Sequence, residues 1–457
     1  MAPALIIMGG CASSQEDRAF ERYRAIEHST YETEAPYPSD GTDLPRLDED
    51  STLSDYLAYA ALNNPGLEAA FNRWKAALER ILPARSLPDP RFTYGYFIEA
   101  VETRVGPQRQ RFGISQMFPW YGKLKSRSEM KLAEANAVEE HYRAEKLKLF
   151  YRVKNAYYEY YYLARAIAIA RENVNFLSYF EQIIQTKYKL GASNHPDLLK
   201  AQIELGKLDD RLRKLIMMKE PTVARLNATL NRPVYMKLPE PGSIPEEHIE
   251  AGDRELIAWL KSASPELKAL EFDIKQAKYA VELAEQQFMP DVALGMTLID
   301  TGTYNVSADD AGKDAVIASI SINLPIWYSN YKAVERSARS GFLAARNKMR
   351  NKENALFYEV ELSLFNYRDA ERKINLYRET LIPKGKQSLK ATEAAYRAGK
   401  LDFLNLIDAQ RILLEFQLSY ERALTHHAQR LAELEKLVGI EIPRSKSASK
   451  EGGNLNE

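Results

Sequence analysis

One short element occurs twice in this chain. Residues 188–202 read Y-K-L-G-A-S-N-H-P-D-L-L-K-A-Q, and residues 396–410 read Y-R-A-G-K-L-D-F-L-N-L-I-D-A-Q. Tyr, Gly, Leu, Ala and Gln keep their places 208 positions apart. In both copies a long run with helical spacing ends at a glycine and a second begins a few residues later. Internal repetition limits the topology before any local propensity does. Other landmarks recur in the same order. Asn64-Pro65-Gly66-Leu67 matches Ser264-Pro265-Glu266-Leu267, and Leu87-Pro88-Asp89 matches Met289-Pro290-Asp291. Pro119 matches Pro325, and Leu149-Phe150-Tyr151 matches Leu356-Phe357-Tyr358. The offsets climb from 200 to 208 and never reverse, as one duplication with small insertions requires.

Each repeat therefore has the same order: short helix, two strands, very long helix, turn, returning helix. Residues 123–190 contain neither Gly nor Pro. Their charged and apolar residues alternate with the period of an amphipathic helix, which would span about 100 Å at about 1.5 Å per residue. The second repeat has its equivalent over 331–398, with kinks expected at Gly341, Pro383 and Gly385. Returning helices are expected over 197–229 and 402–438.

Four segments show strand periodicity instead. Phe92, Tyr94, Tyr96 and Ile98 alternate with Thr93, Gly95 and Phe97, while Phe112 and Ile114 sit between Arg111, Gly113 and Ser115. Val292 to Leu298 and Val316 to Leu324 repeat the pattern. One face is apolar and the other small or polar, the pattern of a barrel with lipid outside and water inside. No segment reaches the roughly 18 consecutive apolar residues of a spanning helix, so a membrane would have to be crossed by closed strands. Four strands cannot close around a channel; three copies would supply twelve. A soluble sheet is the alternative for the strands, and a soluble coiled-coil scaffold or interaction protein for the whole chain.

Composition removes other classes. The 63 basic and 63 acidic residues balance, which gives no electrostatic case for a nucleic-acid partner. No Ser/His/Asp arrangement or phosphate-binding Gly loop is visible, so no enzyme and no cofactor are expected. His195, His426 and His427 lack ligand spacing, and no metal site is expected. The aromatic run Tyr157 to Tyr162 reads as interhelical packing, with hydroxyls reaching water. The single cysteine, Cys11, excludes an intrachain disulfide. Two readings stand for it. With Met8-Gly9-Gly10 before and Ala12-Ser13-Ser14 after, it looks like a bacterial lipoprotein cleavage site with an acylated Cys11; otherwise it is an ordinary small residue.

With these elements in place, the chain resembles the outer-membrane efflux protein family, the TolC-like outer-membrane factors, over roughly 53–442. The resemblance rests on the two turn elements, the two Pro-Asp steps before β-strands, and Pro119 and Pro325 before the long helices. It implies a mainly α fold with a membrane β portion: a trimeric twelve-stranded β-barrel continuing into an α-helical barrel across the periplasm. It implies a bacterial outer-membrane duct of a tripartite efflux pump or a type I secretion system. Its partners would be two further copies, a periplasmic adaptor protein, an inner-membrane transporter and outer-membrane lipid. The expected division is a lipoprotein signal at 1–10, an extended tail at 11–52, repeat 1 at 53–230, a linker or equatorial segment at 231–255, repeat 2 at 256–442, and a disordered tail at 443–457.

The resemblance also assigns residues. Asp197 and Tyr396 fall on positions of the gating network at the periplasmic tips, and Asn405 and Asp408 on the two constriction positions that in TolC itself are both aspartates. The basic residue expected just before them is Leu401 here, so one acidic ring, from Asp408, is expected. Read by itself, Asp197 follows Pro196 at a helix start and would cap it. Asp402 reads as the cap of the second returning helix. Gly191 and Gly399 end helices in a left-handed turn, and with Tyr188 they mark the surface for adaptor docking.

Overall fold

The computed structural model describes residues 18–22, 24, 46–191, 194–303 and 309–446. The first repeat gives α1 (Leu53–Asn63), α2 (Pro65–Glu79), α3 (Ile81–Arg85), β1 (Arg91–Thr103), β2 (Gly106–Phe118), α4 (Tyr121–Lys189), α5 (His195–Met217) and α6 (Lys219–Thr229). After β3 (Glu247–Ile249) the second gives α7 (Asp253–Ala263), α8 (Pro265–Gln286), β4 (Val292–Thr301), β5 (Ala315–Ile322) and α9 (Tyr328–Asn375). A π-helical segment (Leu376–Leu381), α10 (Ile382–Arg397), α11 (Phe403–Val438) and β6 (Arg444–Lys446) complete it. Two compact units result. One holds 71–141 and 266–352 with the described N-terminal residues; the other holds 46–70, 142–265 and 353–446. Among the described residues no helix is long and apolar enough to cross a membrane.

The first unit contains an antiparallel sheet in the order β1-β2-β4-β5. Its register aligns the alternation across all four strands. Tyr94 faces Phe112, Phe112 faces Leu298, and Leu298 faces Val316. The next row runs Phe92, Ile114, Met296, Ala318. On the other face Thr93, Gly113 and Thr297 lie in one row. The apolar face is bare: Phe92, Tyr96, Met296 and Ile320 are each more than half exposed. Such a contiguous patch needs an apolar environment.

Where the strands give way to the long helices, Asp291 forms a knot. Its Oδ1 accepts the Trp120 N–H at 2.9 Å and the Lys123 ammonium at 2.8 Å. Lys123 also donates to the Met289 carbonyl at 2.8 Å, and its side chain is only 3% exposed. This gives the recurrent Pro-Asp step its structural use in the second repeat.

Prolines set the helix boundaries. The single short helix expected in each repeat is divided, at Asn64-Pro65 and again before Ile81 in the first and at Ser264-Pro265 in the second. Thr52 and Asp55 form a capping box at the start of α1, with the Thr52 N–H on Asp55 at 2.7 Å. The first returning helix also departs from expectation: it breaks at Met218, because Pro221 has no N–H for the Met217 carbonyl. Pro383 withdraws the bond to Glu379, and the preceding turn widens into the π segment, where the Ile382 N–H reaches back five residues to Tyr377. Gly341 leaves α9 continuous. A Cβ on Gly385 would lie 3.3 Å from Leu413 and from Phe416, so this glycine permits close packing of α10 on α11.

Both expected tails contribute structure. Residues 18–22, placed in an extended tail, are helical; Ala19 is buried and Arg22 donates to Glu139 at 3.2 Å and Asn136 at 2.9 Å. Arg444–Lys446, placed in a disordered tail, pair with β3. Arg444 is held there by Glu247, Glu435 and Glu441 at 2.5–3.3 Å. Cys11 lies outside the described residues.

The second unit packs around the tyrosine run. Tyr157, Tyr160 and Tyr161 are buried, and two of their hydroxyls find protein acceptors: Tyr160 donates to the Leu238 carbonyl at 3.1 Å and Tyr161 to Glu421 at 3.1 Å. The β3 strand is clasped to α9. The Tyr367 hydroxyl accepts from the Ile249 N–H at 3.1 Å and donates to the Glu247 carbonyl at 3.0 Å. His248 Nδ1 lies 2.5 Å from Glu371, and the His427 ring stacks on Tyr367 at 4.2 Å.

Two outcomes follow from these contacts. Lys123→Met removes the ammonium from the Asp291 knot, and urea unfolding in detergent should show a loss of about 3 kcal/mol; an unchanged midpoint would contradict the knot. Burial pushes the His427 imidazole down to about 4, with its Nε2 left without a partner. The unfolded chain takes up a proton near the ordinary histidine value of about 6.5. The stability tied to neutral His427 is therefore complete above that pH and is lost as pH falls toward 4. The wild type should lose about 3 kcal/mol over this window, and His427→Phe, which keeps the stack, should flatten that slope.

Candidate functional site

The two glycine turns have the geometry their repetition implied. Gly191 and Gly399 stand at φ +73° and +71°. A Cβ at either would touch nothing, so backbone conformation alone selects glycine. At the second turn the Gly399 N–H bonds the Tyr396 carbonyl at 3.0 Å and the Lys400 N–H bonds Ala395 at 2.9 Å. This paired arrangement satisfies the last free carbonyls of α10. The Gly191 N–H bonds Tyr188 in the same way at 3.0 Å. Tyr188 is exposed, its ring 5.3 Å from that of His195.

The helix starts that follow differ from expectation. Asn194, not Asp197, caps α5: its Oδ1 accepts the Asp197 N–H at 2.9 Å. Asp197 sits in the first turn, where its charge meets the helix dipole. Asp402 occupies the cap position of α11, but its side chain accepts no capping bond. Asp197 instead faces the second turn. Burial pushes the Tyr396 hydroxyl up, and the charge of Asp197 adds to that shift. Tyr396 is 7% exposed, its ring 6.1 Å from Phe180 and 5.7 Å from Phe403. The Lys187 ammonium lies 4.6 Å from its centre. Tyr396 thus serves as core, near enough to Asp197 to feel its charge.

Asn405 and Asp408 lie one turn apart on the exposed face of α11. Asp408 is 68% exposed, and its nearest cation is Arg411 at 4.0 Å. This places Asp408 too deep in the helix to cap it and free to present its charge to solvent.

Sequence reasoning missed a set of charges between the returning helices. Glu204 of α5 pairs with Arg411 of α11 at 2.9 Å, and Arg211 of α5 with Glu415 at 2.5 Å. Burial opposes ionisation of Glu204, yet hydrogen bonds from Lys207 and Arg411 hold its carboxyl below the usual range. Beneath them Gln410 donates to Asn173, and its Oε1 is buried without a partner. Gln202, its counterpart in the first copy, bonds Glu181 on α4 at 3.2 Å. The repeated Gln therefore ties each returning helix to α4. The charge pairs had no signal in one sequence, because both helices are charged along their length.

The architecture has counterparts in known proteins. The outer-membrane channel OprN superposes with a TM-score of 0.72 at 18% identity, covering 87% of this chain and 93% of that one. The CyaE protein of Bordetella pertussis is 25% identical over 307 residues, 64% of this chain and 62% of that protein. The cobalt-zinc-cadmium resistance protein CzcC of Cupriavidus metallidurans is 24% identical over 173 residues, 37% of this chain and 38% of that protein. The chain spans less than two thirds of the length of these two relatives. The outer membrane efflux protein family matches residues 57–218 and 256–440, both repeats in turn. The chain belongs to the outer membrane efflux protein family.

Proposed function

We propose that this protein is a passive exit duct of the bacterial outer membrane, serving a tripartite efflux pump or a type I secretion system. The observation that carries the reading is the four-stranded sheet, with a bare apolar face, in a chain whose other long elements are helices. Three copies would close twelve strands into a barrel, and the helices of 53–230 and 256–442 would form the periplasmic tunnel. The relative CzcC, a cobalt-zinc-cadmium resistance protein, supports a role in resistance. A duct performs no chemistry, so its specificity would come from the inner-membrane transporter, reached through a periplasmic adaptor. Cys11 would carry the lipid anchor. Gly191, Gly399 and Tyr188 would offer the adaptor its docking surface. Asp197 and Tyr396 would hold the two turns together, with the pairs Glu204–Arg411 and Arg211–Glu415 supporting them.

Asn405 removes one of the two carboxylates expected at the mouth. Asp408, exposed and only loosely paired, would supply a single ring of three. Purified protein in planar bilayers should give cation-selective pores. Asp408→Ala should lower the cation preference several-fold and weaken block by multivalent cations. Unchanged selectivity would place the ring elsewhere, and the absence of any pore would overturn the duct.

A further inference from the structure

The polar face of the sheet carries charge of one sign. Arg91 heads one row, which continues through Ser115 and Gly295 to Ser319. Arg111 stands in another, between Gly95 on β1 and Ile299 on β4, and that row ends at Ala315. The row between them, from Thr93 to Ile317, is uncharged. These three rows hold no carboxylate. Asp300 follows Ile299 in sequence, but it faces Gln110 and so belongs to the opposite face, where it accepts from that amide at 3.4 Å.

Both arginines are exposed, and among the described residues neither pairs with a carboxylate. Arg104, in the turn between β1 and β2, shows the contrast: two hydrogen bonds tie it to Asp310. The wall has room for Arg111. A Cβ on Gly95 would lie 2.8 Å from its Nε and 3.0 Å from its Cγ, so the side chain crosses β1 where a glycine leaves space. Glycine weakens a strand interior and often marks such a close approach.

Arginine stays charged at every pH at which the protein is folded. The chain as a whole is balanced, with 63 basic and 63 acidic residues, so this excess belongs to the face. In a closed barrel the polar face would line the lumen, where low-dielectric walls of one sign concentrate ions of the other. Each guanidinium offers a planar fork of N–H donors to phosphate or carboxylate oxygens. On β2, Arg111 is four residues from Ser115, the partner of Arg91, which separates the two rows by about 14 Å at about 3.4 Å per residue. That exceeds the screening length of about 10 Å at about 0.1 M salt, so each row acts on its own.

We propose that Arg91 and Arg111, with their copies, form two basic tiers inside the barrel, and that these tiers bind multivalent oxyanions in the exit path. The inference rests on the duct reading above and adds a charge to its inner wall. That charge is opposite in sign to Asp408, which belongs to the other unit of the chain. The duct would therefore hold multivalent cations and multivalent anions at different places.

Block of single pores by inorganic tripolyphosphate in planar bilayers tests the tiers. At about 0.1 M salt the wild-type pore should be blocked, and the block should fade as salt rises toward about 1 M. Arg111→Gln should raise the half-blocking concentration about tenfold, and Arg91→Gln/Arg111→Gln should abolish the block. If the double variant gives no pores, Arg111→Glu replaces it and should abolish binding at its own tier, leaving block no stronger than in Arg111→Gln. Wild-type pores that tripolyphosphate does not block would overturn the inference. So would block of the variant pores at the wild-type concentration. A wild-type protein that forms no pores would overturn the duct reading itself, so the two failures are distinguishable.

Discussion

The constraint on which the rest of the structure depends is the sheet's own incompleteness. Four strands carry a bare apolar face and two unpaired margins. In lipid every backbone polar group must be bonded within the protein. With that face in lipid, as proposed above, the margins would require closure with further copies. The long helices must then stand where strands end, which explains why Asp291, Trp120 and Lys123 are knotted at that boundary. A buried ammonium is costly unless paired, and here it is bonded both to a carboxylate and to a carbonyl.

The second unit solves a different problem. Helices of this length share few contacts per residue with a common core, so separate cross-links hold them. Tyr161 and Arg165 on Glu421, Lys154 on Glu435, Arg444 on Glu247, and Tyr367 on the β3 backbone each join segments distant in sequence. The glycine turns close the hairpins at the other limit of this unit's chain order. There Tyr396 fills the space between Phe180 and Phe403, and charge pairs tie the returning helices together. Duplication gives the two turns one backbone geometry, while the side chains around them have diverged: Asn194 caps one and Asp402 stands uncapping at the other.

Much of this was legible in the sequence because it depends on short-range periodicity. The alternation of Phe92 to Ile98 and of Val316 to Leu324 located strands, and the duplication aligned them. The Gly-free, Pro-free run over 123–190 located α4. Gly191 and Gly399 declared left-handed turns because glycine adopts them at least steric cost. What failed was competition between equivalent local signals. Asn194 and Asp197 can both cap, and only the position of Pro196 in the folded turn decides. Pro221 and Pro383 warned of a disturbance without saying that one breaks a helix and the other widens it. The charges of Arg444 and Arg22 looked like those of solvated tails, because their partners Glu247 and Glu139 are more than a hundred residues away. The site followed the same division. The glycines could be placed from spacing and Asp408 was assigned by the family resemblance, whereas the burial of Tyr396 and the pairing of Arg211 with Glu415 are properties of the packed helices.

The central claim is that one chain supplies only a third of a closed wall. Native mass spectrometry of the detergent-extracted protein tests it most directly. The account predicts a single species at three times the 52.1 kDa chain mass, persisting after dilution. A monodisperse species of one chain that still forms pores would contradict it, because four strands would then have to close without partners.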